Sequence, residues 1–212
     1  MTRVWLLLLG ALATVGFATI VLVAVPNVML QDVPRAPQLA AYTPEQARGR
    51  EVYIANGCVY CHSQQIRDPA FTTDVQRGWG SRATVPADYV YDRPHLLGTM
   101  RTGPDLINVG QRLPDVGWQL LHLYNPRTVV PWSIMPAYPY LFQVRDSASV
   151  RPDERIVDVR GKYAPPPGRA VVASPDALAL AAYLISLARE YPVPEGAGAG
   201  DSARGRGAHT MP

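Results

Sequence analysis

The only two cysteines of this 212-residue chain stand three positions apart, and a histidine follows the second at once: Cys58-Val59-Tyr60-Cys61-His62. Three chemistries use so tight a cluster. A structural zinc site takes four ligands, usually as two Cys/His pairs, but His95, His122 and His209 are scattered singly. A thioredoxin-like dithiol follows a strand in an α/β pattern and has no use for the adjacent histidine. Cys-x-x-Cys-His is the attachment signature of c-type haem, in which Cys58 and Cys61 form thioethers to the two vinyl groups and His62 is placed to bind iron on one face. One covalent haem c is therefore the expected cofactor.

The second constraint is the uncharged run VWLLLLGALATVGFATIVLVAV, Val4 to Val25. About 20 apolar residues cross a hydrocarbon core as a helix. A signal peptide has a shorter apolar core of about 7–15 residues and a small-x-small cleavage site, so a retained anchor is the favoured reading. Arg3 is the only charged side chain before the run; by the positive-inside tendency the N-terminus is cytoplasmic and the rest lies outside. Covalent haem attachment in bacteria also takes place beyond the cytoplasmic membrane. The expected location is thus the bacterial cytoplasmic membrane, single-pass, with the haem domain on the periplasmic or outer side.

Charge excludes one class of partner. The 20 basic and 17 acidic residues nearly cancel, and no basic run interleaved with aromatics is present, so nucleic acid is not an expected ligand. Lys162 is the only lysine, which leaves no lysine ring of the kind a diffusing electron shuttle uses for docking.

Composition divides the chain into an anchor over 1–27, a proline-bearing linker over 28–42, a haem domain over 43–192 and a glycine-rich tail over 193–212 that is expected to be disordered. In TPEQARGREVYIANG, Thr43 caps a helix, Pro44 suits its first position, Gln46 completes a capping box and Gly57 ends it. A second helix follows Ser174-Pro175 over DALALAAYLISLARE, with Leu178, Leu180, Tyr183, Leu184 and Leu187 forming a stripe. Gly49 and Tyr53 share a face of the first helix, a small residue beside an aromatic, where the late helix with Tyr183 would cross closely. Trp118 to Pro126 predicts a short helix ending at the proline. No convincing strand pattern appears between these helices.

A low-spin electron-transfer haem takes a ligand on each face of the iron, and methionine raises the potential relative to a second histidine. The candidates are Met100, Met135, His95 and His122; Met29 belongs to the membrane border, and His209 and Met211 lie in the tail. Met135 stands in VVPWSIMPAYPYLF, where the following proline stiffens the backbone.

The order helix, CxxCH, TGP, MP, helix resembles class I cytochromes c from about Thr43 to Tyr191. The fold class this implies is mainly α, a class I cytochrome c fold with one N-terminal transmembrane helix. In that family the proline carbonyl of a Gly-Pro segment accepts the hydrogen bond of the ligand imidazole, which assigns Pro104 of RTGPDL to haem binding. Met100 then falls on the histidine side, and Met135 is left as the second metal ligand. GREVYIANGCVYCHSQQIR, YDRPHLLGTMRTGPDL, WQLLHLYNPR and VVPWSIMPAY are similar to the membrane-anchored monohaem subunit, subunit II, of cbb3-type cytochrome c oxidases. Gln119 after Trp118 and the stretch before the last helix depart from that pattern.

The resemblance implies electron transfer without bond-making chemistry: electrons arrive from a donor cytochrome c or multihaem cytochrome subunit and leave to a polytopic haem-copper oxidase catalytic subunit. The alternatives are the small cytochrome subunit of a nitric oxide reductase and a free-standing membrane-tethered shuttle. The long connection between His62 and Gly103 invites a docking role for Gln64, Gln65, Arg67, Trp79 and Arg101. The competing expectation is that its arginines only pair with Asp68 or Asp74.

Overall fold

The computed structural model describes residues 2–194 and Ala197. Its chain divides into two compact units, the first comprising the described residues of Met1–Leu39, Val85–Val90 and Pro192–Pro212, the second Ala40–Thr84 and Tyr91–Tyr191. Apart from Val193, Pro194 and Ala197, the tail expected over 193–212 lies outside the described residues.

In the first unit, α1 (Thr2–Thr19) runs through one π-helical turn, Ile20–Ala24, into α2 (Val25–Met29). Pro26 lacks the N–H that would bond back to Leu22, and the widened turn sits where that bond is missing. Together Arg3–Met29 make one helix of 27 residues, long and apolar enough to cross a membrane.

The second unit is built on a helix crossing. In α3 (Pro44–Ala55) the Thr43 side chain accepts from Gln46 N at 3.2 Å and the Gln46 side chain accepts from Thr43 N at 3.0 Å. Such a cap contributes about 1 kcal/mol. Asn56 caps the other end, and Gly57 turns the chain away with φ +67°, a conformation that costs glycine least. Opposite lies α6 (Pro175–Ser186), capped by Ser174. A Cβ at Gly49 would fall 1.8 Å from the carbonyl oxygen of Ala179, so only glycine allows this approach. Tyr53 and Tyr183 meet edge to face at 5.6 Å, worth about 0.5–1.5 kcal/mol beyond the area they bury.

The late helix is shorter than its sequence predicts. It ends at Ser186, because the following backbone bonds across to other chain segments: Gly110 N donates to Leu187 O at 2.9 Å, and Arg189 N donates to Asn108 Oδ1 at 2.7 Å. It is also buried more widely than a single stripe, with Ala177, Ala179 and Ala181 inside as well. Against it pack α4 (Val109–Arg112) and α5 (Val116–Tyr124). Asp115 caps α5 by accepting from Trp118 N at 2.6 Å, and the helix stops before Pro126.

A three-stranded antiparallel sheet corrects the expectation of no strands. Strands β1 (Phe142–Asp146), β2 (Ile156–Val157) and β3 (Arg169–Ala173) lie in the order β1-β3-β2, with Phe142 opposite Ala173 and Ile156 opposite Val172. Val157, Val171 and Phe142 join the core beside Leu120 and Leu180. β1 alternates only over Phe142–Arg145, and β2 and β3 do not alternate; distant pairing and burial make the sheet.

Candidate haem site

Asn56 and Gly57 deliver the chain from α3 into one tight turn, Cys58–Tyr60, and His62 N donates to Cys58 O at 3.0 Å. The turn buries Cys58 and leaves Cys61 exposed. Burial pushes the Cys58 thiol up to about 11. The segment after it is fastened to RTGPDL by two backbone rungs, Gly103 N to Cys61 O and Leu106 N to Ser63 O, both 2.9 Å.

Between these rungs sits the His62 imidazole, its Nδ1 2.7 Å from the carbonyl oxygen of Pro104. A carbonyl only accepts, so Nδ1 carries the proton and Nε2 keeps its lone pair. Burial lowers the imidazole's proton affinity, with the Pro104 hydrogen bond opposing it. Gly103 forms the cradle: a Cβ there would fall 2.2 Å from His62 Cε1 and 2.7 Å from Nδ1.

His62, Cys58 and Cys61 line a cavity of about 500 Å³. Its walls are mostly apolar, with Leu106, Val109, Leu113, Leu123, Val130, Ile134 and Leu184 among them. Met135 lies in the wall contributed by Val130–Tyr138, half-buried, packed against the core, with its N–H donating to Ser133 Oγ at 3.2 Å. Of the other candidate ligands, His122 also lines the cavity. Met100 is 57% exposed and, like His95, is not among the lining residues.

Two polar groups in this wall are not visible as such in the sequence. His122 stacks on Trp118, one helical turn away, with centroids 4.7 Å apart and planes within 9°, and its Nδ1 is buried without a hydrogen-bond partner. Burial pushes that imidazole down to about 4, so it is neutral near pH 7. Arg112 donates through one terminal nitrogen to Asp105 O, while its Nε is buried and unpartnered. Leaving such groups unpaired costs about 1–3 kcal/mol each. An apolar cavity with a cradled imidazole and a few orphaned polar atoms suits a flat, largely apolar ligand that carries polar edges. Haem has that chemistry. Among the described residues no group of three or more His, Cys, Asp or Glu is arranged to hold a metal ion by itself.

Two of the residues for which a docking role is expected, Gln64 and Arg101, face inward. Gln64 is 2% exposed and exchanges hydrogen bonds with the Tyr183 hydroxyl at 3.1 Å. Arg101 pairs with Asp74, a partner the competing expectation named, but it also bonds Ser63 and Gln65. Further along, Glu190 accepts from Ser81 N at 2.8 Å and Asn108 Nδ2 at 3.0 Å. Arg82 donates to the carbonyls of Arg189 and Tyr191 at 2.9 and 3.2 Å. These bonds hold the stretch against the end of the last helix.

No curated protein matches the chain. Residues 2–162, well over half of its length, match the family described as "Cytochrome C oxidase, mono-heme subunit/FixO". The motif turn, the cradled imidazole and the apolar cavity all fall inside or against that matched stretch, and the chain belongs to the FixO family of mono-haem cytochrome c oxidase subunits, electron-transfer components that carry one haem.

Proposed function

We propose that the haem is covalent haem c, which Cys58 and Cys61 would attach and whose iron His62 and Met135 would hold. The observation that carries this reading is the 2.7 Å contact from His62 Nδ1 to Pro104 O beside a cavity that Met135 also lines. When bound, the haem supplies a one-electron couple. The chain's own residues hold and tune it. Pro104 fixes the His62 tautomer and keeps Nε2 available. Pro136, next to Met135, stiffens the segment that presents the sulfur. The apolar wall excludes water, which favours the less charged ferrous state.

The Gly49–Ala179 crossing and the placement of the motif at the end of α3 support a class I cytochrome c fold over 43–192, joined through 28–42 to an anchor over 1–27. In this reading the haem domain stands on the periplasmic or outer side of the membrane. It takes electrons from a donor cytochrome c or multihaem cytochrome subunit and passes them to the polytopic haem-copper catalytic subunit of a cbb3-type oxidase.

Purification from membranes in mild detergent, followed by a reduced-minus-oxidised spectrum, mass spectrometry and an oxygen-uptake assay on one sample, tests the assignment. Co-purification of a many-helix subunit containing b-type haem, with cytochrome-dependent oxygen uptake, is expected. Uptake of nitric oxide instead of oxygen would move the subunit to the alternative reductase, and a lone c-type spectrum under the mildest solubilisation would make it a tethered shuttle.

A further inference from the structure

One arginine gathers the chain behind the His62 imidazole. Arg101 donates through Nε to Ser63 Oγ at 2.9 Å, through one terminal nitrogen to Asp74, and through the other to Gln65 O at 2.5 Å. That last nitrogen also stands 3.9 Å from Asp105. Its side chain is 15% exposed, against 3% for Asp74 and 0% for Asp105. The carboxylates carry the network onward. Asp105 accepts from Ser63 Oγ at 2.6 Å and Gln65 N at 2.7 Å, and Asp74 accepts from Arg67 N at 2.8 Å. Trp79 covers the guanidinium at 5.5 Å.

A buried arginine between two acids has a simple structural use: it keeps a long connection folded. Its position here adds something more specific. Ser63 follows His62 directly, Gln65 stands three positions after it, and Asp105 follows Pro104. The fork therefore clamps the two segments whose relative position sets the imidazole against its acceptor. The balance of charge matters as well, because Arg101 is the guanidinium paired with Asp74 and, with Arg112, one of two that act on Asp105; removing it leaves the buried negative charge less compensated in a low-dielectric region.

We propose that Arg101 is a positioning residue for His62: it holds the 62–65 and 101–105 segments together, and its charge offsets Asp74 and Asp105 so that the reduction potential of the bound iron is raised. This rests on the reading of His62 as an axial ligand. A positive charge near the iron favours the ferrous state, so loss of Arg101 lowers the potential and loss of one carboxylate raises it.

The test uses the full-length protein in its purified complex. Covalent haem is measured by intact mass, the methionine-to-ferric-iron band in the near infrared, and the potential by redox titration. Arg101→Gln is expected to keep covalent haem and the near-infrared band while shifting the reduction equilibrium threefold to tenfold toward ferric, tenfold being about 59 mV for one electron. Arg101→Lys keeps the charge without the fork and is expected to recover at least half of that shift. Should Arg101→Gln fail to assemble, Asp74→Asn decides the question by raising the potential. An unshifted potential in loaded Arg101→Gln, or an unchanged or lowered one in Asp74→Asn, overturns the role of Arg101. Absence of covalent haem from the wild-type protein would overturn the underlying reading as well.

Discussion

The two walls of the cavity are built on different principles. On the His62 side, two backbone rungs, an imidazole-to-carbonyl bond and the Arg101 cluster tie residues 61–65 to 101–106. On the Met135 side, the segment VVPWSIMPAYPYL from Val129 to Leu141 contains no charged residue and three prolines. Its backbone is tied near its ends, by Val130 N to Pro126 O at 2.9 Å and Tyr138 N to Leu123 O at 3.0 Å. Trp132 and Ile134, in its middle, are 81% and 76% exposed. One wall is fixed by polar pairing, the other by restricted backbone freedom and the packing of Met135. The contrast predicts steep, localised losses on the first side and graded ones on the second.

The largest effects should fall on the anchoring turn. Replacing Cys58, Cys61 or His62 with alanine is expected to abolish stable haem incorporation, read by haem staining after denaturing electrophoresis. Next comes Gly103→Ala, whose new methyl would overlap the imidazole. We expect a loss of about 1–3 kcal/mol in stability, the usual cost of overpacking, measured by denaturant unfolding, together with a displaced imidazole seen as an altered haem spectrum. A Gly103→Ala protein with native spectrum and stability would remove the idea of a tightly built histidine wall.

On the other side, Met135→Ala should retain covalent haem but lose the near-infrared sulfur band, whereas Met100→Ala should leave the band intact. Loss of the band in both, or in neither, would break the comparison. The smallest effect is expected from Pro136→Ala. It frees the backbone beside the sulfur at a cost of about 0.4–1 kcal/mol, visible as a lower thermal midpoint and a band that weakens earlier on warming.

Local signals made α3 and the start of α6 legible in advance. Thr43, Pro44 and Gln46 occupy capping positions that need no tertiary contact to be recognised, and Gly49 beside Tyr53 pointed to the close crossing that the structure contains. What stayed hidden depends on partners distant in sequence. The stop of α6 at Ser186 comes from bonds to Asn108 and Gly110. The sheet needs Phe142 to find Ala173; the brief alternation of Phe142 to Arg145 does not by itself name that partner, and RAVVA of β3 has no alternation. Arg101 read as a docking residue because composition does not reveal that Asp74 and Asp105 fold in behind it. The unpartnered nitrogens of His122 and Arg112 were likewise invisible until burial was known.

The crossing at Gly49 also governs timing. Its partner, Ala179, stands near the far end of the domain's sequence, so α3 lacks its closest helix neighbour until the last helix has been made. An isolated helix of 12 residues is marginal in water, and domains are synthesised from the N-terminus onward. Throughout that interval the helix that leads into Cys58 and Cys61 lacks this support. Arrival of α6 closes the interval, and the helix that completes the crossing is made more than a hundred residues after the motif whose turn that crossing helps to hold.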